Sequence, residues 1–249
     1  MKRWKLFALG LGAYAVALVI NAPATLADAV LRRLDDGRVR ISEAQGTIWS
    51  GAGWVEIRDP RGRSSVTKRI AWRVLPAWLL RGHLACEIEL ERSMKWFLVT
   101  ISPSRTEVAD FDIDLPAAVL GLALPRLAPV EFSGELSAHF ADFSFARNGM
   151  QGDVTVQWRN AGSAFAPVSP LGNYEIRLRG TGTGTEINAT LSTSQGPLQL
   201  DGKGSWRNGG NPGFLAVARI PPQHREQLAP FLRLIAVERT DGSFELKID

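Results

Sequence analysis

The sequence has little cysteine and little histidine. Cys86 is the one cysteine among 249 residues, and there are three histidines. A single cysteine permits no intrachain disulfide, so a disulfide scaffold is excluded. The sequence contains no His-Glu-x-x-His, Cys-x-x-Cys or Gly-x-Ser-x-Gly motif and no calcium-binding loop. Metal binding is therefore unsupported, and the usual hydrolase motif is missing.

A basic nucleic-acid-binding surface is also missing, although the formal net charge is +4. Without the first 27 residues, 26 of the 29 basic side chains remain against 25 acidic ones. These remaining charges are interleaved, and no basic run with interspersed aromatic residues occurs. Because nucleic acids are bound by concentrated positive charge, the sequence predicts no nucleic-acid partner.

A long uncharged segment begins close to the amino terminus. Residues 6–27 carry no charge, and Leu6–Ile20 is strongly apolar. About 20 apolar residues span the hydrocarbon core of a membrane, whereas about 7 to 15 form the apolar part of a cleavable signal. Lys2, Arg3 and Lys5 precede the segment and are expected to stay cytoplasmic, so the remainder of the chain is translocated.

Two other interpretations of this segment stay open. Small residues at 22–24 or 25–27 offer cleavage sites, although Pro23 would hinder a cut after Ala22. A helix buried in a protein core would need partners covering it on all sides. We predict a retained single-pass anchor over residues 1–27 and an exported β-rich domain over residues 28–249.

Apolar and polar residues alternate along much of residues 39–248, which is typical of half-buried strands. The alternation is clearest in Trp54–Arg58, Leu84–Leu90, Val108–Leu115, Leu136–Phe145, Tyr174–Arg179, Ile187–Leu191, Leu198–Leu200 and Phe244–Ile248. Turn-forming clusters separate these stretches, at Asp59–Gly62, Asn148–Gly149, Asn208–Gly213 and Asp241–Gly242. Such clusters connect consecutive strands as hairpins, so the sequence predicts a mainly β, antiparallel architecture.

Few helices are expected after the anchor. Pro76–Arg81 and Pro116–Gly121 each begin with proline and end at or before glycine, which is typical of helices of one or two turns. Pro222–Ala236 is the best remaining helix, interrupted at Pro230. We therefore predict one transmembrane helix followed by an extended, curved antiparallel sheet, or an open, barrel-like domain, with short helices capping the sheet ends.

Residues that imitate a catalytic or binding site have simpler structural explanations. Gly180–Gly184 resembles a phosphate loop, but it lies between two predicted strands and not before a helix, so a hairpin loop is favoured. Asp110, Asp112 and Asp114 share one face of a strand, which favours a solvated face over a metal or glycosidase site.

The remaining reactive side chains are scattered along the chain. Cys86 alternates with apolar neighbours, so we expect a small buried side chain and not a nucleophile. His83 and His139 lie at strand positions, and His224 lies at a polar helix start, far from one another in sequence. We predict no catalytic, cofactor-binding or metal-binding residues, and no cofactor.

Seven tryptophans follow the predicted anchor, mostly in strands, where they are expected to pack against the core or a sheet face. The competing interpretation is the aromatic girdle of an outer-membrane barrel. It conflicts with the apolar amino-terminal segment and with strands of three to six residues, because a membrane-crossing strand needs about 10.

Four blocks of sequence resemble the type II secretion system protein N family. The first is Gln45–Gly51 (Gln-Gly-Thr-Ile-Trp-Ser-Gly), and the second runs from Trp72 to Pro76 and continues as Leu79–Gly82. The later blocks are Ser169–Tyr174 and Gly196–Gly204. Their order and spacing make the resemblance extend over essentially the whole chain.

The resemblance implies an accessory subunit of the general secretion pathway, located in the cell inner membrane, with a cytoplasmic amino terminus and a periplasmic β-rich domain. It implies no enzymatic activity and therefore no catalytic residues to transfer. The expected partners are other secretion-system subunits and the membrane itself. In the block around Gly46–Gly51, a tight entry into a strand with a buried aromatic residue is expected.

A hypothesis of a different class also follows from the strand pattern. A long sheet with one apolar face could hold a lipid acyl chain, with the short helices capping the groove. The simpler explanation is that this face is packed core.

Overall fold

The structure is a computed structural model that describes residues 2–34, 39–58, 65–91, 95–123, 130–146, 149–181, 186–207 and 213–248. The α-helices are α1 (Lys2–Ile20), α2 (Thr25–Leu34), α3 (Val119–Ala123) and α4 (Arg225–Leu232). The strands are β1 (Val39–Gly46), β2 (Ser50–Arg58), β3 (Ser65–Leu75), β4 (Leu84–Leu90), β5 (Phe97–Ile101), β6 (Arg105–Val108), β7 (Phe111–Pro116), β8 (Phe132–Ala146), β9 (Gly149–Ser163), β10 (Gly172–Thr181), β11 (Glu186–Gln195), β12 (Gln199–Arg207), β13 (Gly213–Arg219), β14 (Val237–Glu238) and β15 (Phe244–Ile248). The prediction of a mainly β protein is confirmed.

The chain forms two compact units, Met1–Thr100 and Ile101–Asp249. In the first unit, strands β1 to β5 are neighbours in chain order, as expected for successive hairpins. The pair β2–β3 is antiparallel and runs in unbroken register from Ser50 opposite Arg73 to Arg58 opposite Ser65. A 3₁₀ helix, η1 (Pro76–Arg81), connects β3 to β4.

Helix α2 covers the outer edge of β1 in the first unit. The carboxylate of Asp28 is buried and accepts a hydrogen bond from the backbone N–H of Ile41 at 3.0 Å. Ala24 and Ile41 are buried together with Trp72, and Leu31 packs against them. An edge strand with open backbone groups invites pairing with other chains, and α2 covers part of this edge.

In the second unit, the antiparallel order is β6-β8-β9-β10-β11-β12-β13-β15-β14, and β7 also pairs with β8. Strands β10 and β11 pair from Asn173 opposite Gln195 to Gly180 opposite Ile187. This pairing confirms that the glycine-rich stretch connects two strands, although residues 182–185 themselves lie outside the described part. The predicted turns at 59–62, at 208–212 and at residue 148 also lie outside it.

The core of the second unit lies beneath α4. Leu228, Leu232 and Phe244 are almost completely buried. The same cluster includes Leu171 and Leu198 from two inter-strand loops. Burying such side chains provides the main driving force for folding, so the loops and the helix share one packed core with the sheet.

The short helices differ in detail from the sequence prediction. η1 is confirmed over Pro76–Arg81, and it ends at Gly82 in the left-handed conformation with φ 75°. The helix predicted from Pro116 begins only at Val119, because Pro116 still pairs with Glu135 in the sheet. Pro230 lies inside α4 without interrupting it, and the helix ends two residues later at Leu232.

The predicted amino-terminal anchor forms α1, whose described side chains are all exposed. Within the described residues, no helix meets the combined length and hydropathy of a membrane span.

Candidate functional site

Residues of the first sequence block hold the carboxyl-terminal end of α1. The indole Nε1 of Trp49 donates a hydrogen bond to the backbone carbonyl of Val19 at 2.7 Å. The backbone N–H of Ile48 donates to the carbonyl of Ala22 at 2.9 Å. The last carbonyls of a helix have no partner within it, so the Trp49 indole acts as a cap of α1. Ile48 holds the chain just after the helix ends. We call Gly46–Gly51 together with Trp72 the helix clasp.

The connection from β1 to β2 gives the helix clasp its shape. The N–H of Thr47 donates to the carbonyl of Ser50 at 2.9 Å, and the N–H of Ser50 donates to the Thr47 hydroxyl at 3.1 Å. Gly46 has φ 90°, a conformation that residues with a Cβ rarely adopt. These contacts turn the chain so that the Trp49 side chain reaches α1.

Strand β3 holds the connection from β1 to β2 in place. Trp72 is buried, and its Nε1 donates to the carbonyl of Ile48 at 3.2 Å. The N–H of Val74 donates to the carbonyl of Trp49 at 2.7 Å. A Cβ on Gly51 would lie 2.5 Å from the Trp72 ring, so only glycine leaves room for that ring. The first block is expected to contain a buried aromatic residue, but its Trp49 is only half-buried. The buried aromatic residue at this position in the structure is Trp72, which belongs to the second block.

The later two sequence blocks meet one another in the second unit. The N–H of Leu198 donates to the carbonyl of Leu171 at 3.0 Å, and the Tyr174 hydroxyl donates to the carbonyl of Leu198 at 3.0 Å. Tyr174 is buried, and this burial raises the pKa of its hydroxyl well above the usual range. We call Leu171–Tyr174 with Gly196–Leu198 the loop junction. Its apolar side chains Leu171 and Leu198 belong to the core under α4.

The three aspartates predicted on one strand face each have a partner on β8. The Ser137 hydroxyl donates to Asp114 at 2.6 Å, and His139 Nδ1 lies 2.8 Å from an oxygen of Asp112. The N–H of Asp142 donates to Asp110 at 2.9 Å.

All three carboxylates are exposed, as expected for a solvated face. Asp112 and Asp114 lie in β7, whereas Asp110 lies just before it. Among the described residues, no three acidic, histidine or cysteine side chains are grouped as metal ligands.

Cys86 lies in β4 and is partly buried against the cluster of Ala24, Ile41 and Trp72. Its burial raises the pKa of the thiol, because the thiolate would lose solvation. The neutral thiol is a poor nucleophile.

The three histidines lie at three different elements. His83 directly precedes β4, His139 lies in β8, and His224 directly precedes α4. His139 has Asp112 beside it, and both side chains are exposed.

A surface pocket of the second unit lies beside the β11–β12 connection. Its lining is mostly polar and includes Thr193, Gln195, Gln199, Asp201 and Arg219, with Leu200 as the apolar member. An acyl chain requires a mainly apolar lining, so this pocket gives no support to the lipid-groove hypothesis.

A comparison with protein families identifies one match. The family model described as type II secretion system (T2SS), protein N matches residues 37–247. No curated protein and no solved structure matches the chain.

Proposed function

Because the chain belongs to the type II secretion system protein N family, we propose that it is a non-enzymatic assembly subunit of this secretion machinery. Membership makes it a component of the type II system. The finer assignment, an inner-membrane anchor with a periplasmic interaction domain, is our proposal. The observation that carries it is the attachment of α1 to the sheet of the first unit through the helix clasp.

Helix α1 is proposed as the membrane anchor. Large apolar side chains point outward along it, including those of Phe7, Leu9 and Tyr14, which are all more than half exposed. Exposing a continuous apolar surface to water is unfavourable, whereas lipid would cover it on all sides. Lys2 and Lys5 belong to the first turns of α1, and basic residues of this kind commonly flank a membrane span.

The orientation follows from the charges. Basic residues on the amino-terminal side of a span favour the cytoplasm, so the sheets would lie in the periplasm. The helix clasp then holds the periplasmic end of α1. Trp49 would lie at the membrane surface, where an indole can contact lipid with its ring and a polar group with its N–H.

The second unit is proposed to contact other secretion subunits near its terminal strand. Leu234 is 74% exposed and Val237 is 73% exposed, and Val237 begins the short edge strand β14. Arg233 and Glu238 form an ion pair beside them at 2.9 Å. Exposed apolar side chains surrounded by charged ones are typical of protein interfaces.

The test combines secretion with co-purification. A strain lacking the protein is complemented with the full chain or with the double variant Leu234→Asp/Val237→Asp. We expect the double variant to remain in the membrane, to lose co-purifying secretion subunits and to secrete less folded exoprotein. Phe145→Asp is the matched control, since Phe145 is exposed and apolar in the same unit but lies on β8.

Two results would contradict the proposal. If deletion leaves exoprotein secretion unchanged and no secretion subunit is recovered with the full chain, the assembly role is wrong. If the full chain is released from membranes by alkaline washing, the anchor is wrong even when secretion depends on the protein.

A further inference from the structure

The 3₁₀ helix η1 presents apolar side chains that the rest of the first unit leaves uncovered. None of its six residues is buried. Leu80 is 92% exposed and Leu79 is 43% exposed. Leu84, at the start of β4, is also exposed. The first unit thus carries a small apolar tip, which we define as Leu79, Leu80 and Leu84.

A path of contacts connects the apolar tip to the end of α1. Trp49 binds the carbonyl of Val19 with its indole, and its own carbonyl accepts from the N–H of Val74 at 2.7 Å. Leu80 follows Val74 along one step of strand and most of η1, a path that spans at most roughly 15 Å. A further exposed leucine, Leu26, lies just beyond the end of α1.

The side chains around the apolar tip are of the kind found at membrane surfaces. The guanidinium of Arg81 lies 5.8 Å from the centre of the Trp78 ring. The ring of His83 meets Trp78 edge-on at 6.4 Å between centres. Tryptophan and arginine pair an apolar body with a polar end, and this combination suits the boundary between headgroups and acyl chains.

We propose that the apolar tip inserts into the surface of the same membrane that holds α1, so that the first unit is attached at two points. The proposal rests on the anchor assigned above, since α1 determines which surface lies within reach. The leucines alone would bind lipid weakly, because they bury little apolar area. With α1 already in the bilayer, the apolar tip is tethered to the membrane, so its effective concentration at the membrane surface is high.

Two attachment points have a mechanical consequence. A sheet held only by the end of α1 can rotate about that end. A second contact at η1 fixes which face of the first unit is turned toward the periplasm.

The experiment places a fluorescent probe on the full chain in phospholipid vesicles. Leu80→Cys is labelled with an environment-sensitive dye in a Cys86→Ser background, which removes the native thiol. Vesicles with brominated acyl chains quench a probe that contacts lipid. We expect quenching and a blue shift at position 80, and adding Leu79→Asp should abolish both.

Thr67→Cys in the same background is the matched control. Thr67 is exposed and belongs to the same unit, but it lies at the opposite end of β3 from η1. We expect neither quenching nor a blue shift at this position. Equal quenching at positions 67 and 80 would mean that the whole sheet contacts lipid, and this overturns a specific insertion of the tip.

A probe at Phe7→Cys distinguishes failure of this proposal from failure of the anchor. Quenching at position 7 without quenching at position 80 leaves the anchor intact and overturns membrane insertion of the tip. No quenching at position 7 overturns the anchor itself. A blue shift at position 80 that occurs in native envelope membranes but not in pure lipid vesicles means that a protein covers the tip, and this also overturns insertion into lipid.

Discussion

The first and second units use their sequence blocks for different purposes. In the first unit, Gly46–Gly51 and Trp72 come together around the end of a helix whose described side chains are exposed. In the second unit, Leu171–Tyr174 and Gly196–Leu198 come together under a helix that is half-buried in a core. Blocks that resemble one family therefore attach a helix in one unit and complete a core in the other. The two units differ in which side chains are buried. Single substitutions of these side chains therefore test the helix clasp and the core of the second unit independently.

The largest effect is expected from Leu228→Ala in the core of the second unit. Leu228 is completely buried beside Leu232 and Phe244. Removing it leaves a cavity, so the free energy of unfolding should fall by about 2 to 5 kcal/mol. Denaturant unfolding of the purified chain measures this. Leu234→Ala is the matched control in the same unit and, being largely exposed, should change stability by less than about 0.5 kcal/mol.

Gly51→Ala is the corresponding change in the first unit. The added methyl would lie 2.5 Å from both the Trp72 ring and the Gln45 carbonyl. Overpacking of this kind costs about 1 to 3 kcal/mol, because the ring or the strand must move. Gly213→Ala is the control, since its Cβ would meet nothing nearer than 3.5 Å. Equal stability of the two variants would show that the helix clasp tolerates displacement of Trp72.

Trp49→Phe keeps an aromatic ring but removes the donor to Val19. We expect a loss of about 0.5 to 1.5 kcal/mol, the usual net value of a hydrogen bond. The effect should be local, so hydrogen exchange should increase around residues 19–24 and stay unchanged in the loop junction. Trp96→Phe is the comparison, because Trp96 is exposed and lies away from α1 in the chain. Unchanged hydrogen exchange at residues 19–24 would show that Trp49 does not hold the end of α1.

The smallest effect concerns the turn before β15. Hydrogen bonds from the Ser243 hydroxyl and N–H hold the pKa of Asp241 below its ordinary value of 3.8. Because the pKa of Asp241 is lower in the folded than in the unfolded chain, its ionised carboxylate stabilises the folded state at pH values above the unfolded-state pKa. This stabilisation is lost as the pH falls through the folded-state pKa. Stability should therefore decrease slightly below about pH 4. Acid titration of Asp241→Asn should show a shallower decrease, and an identical decrease would contradict the assignment.

Much of the fold follows from local patterns. Alternation of apolar and polar residues correctly predicts the strands around Trp54–Arg58 and Tyr174–Arg179, because a strand turns alternate side chains to opposite faces. The proline and glycine that bound η1 are equally local signals. The alternation from Val108 to Leu115 is less accurate, since the structure divides it into β6 and β7 with a break at 109–110.

The candidate site is harder to predict. The sequence marks Gln45–Gly51 only as a block, and Trp49 within it is half-buried where a buried aromatic residue is expected. Nothing near Trp49 in sequence indicates that its indole binds a carbonyl 30 residues earlier. The available signal is the presence of two tryptophans, Trp49 and Trp72, in two blocks that resemble the same family.

The sequence by itself determines the chemical class of this protein: a nearly neutral, antiparallel β chain with one basic and apolar amino terminus and with motifs of one secretion family. These properties depend on composition and on neighbours within a few residues. Only the tertiary structure decides that Trp49 holds α1, that Asp28 binds the backbone of β1, and that Leu171 meets Leu198. Such contacts join residues of different elements, so they exist only once those elements are packed against one another.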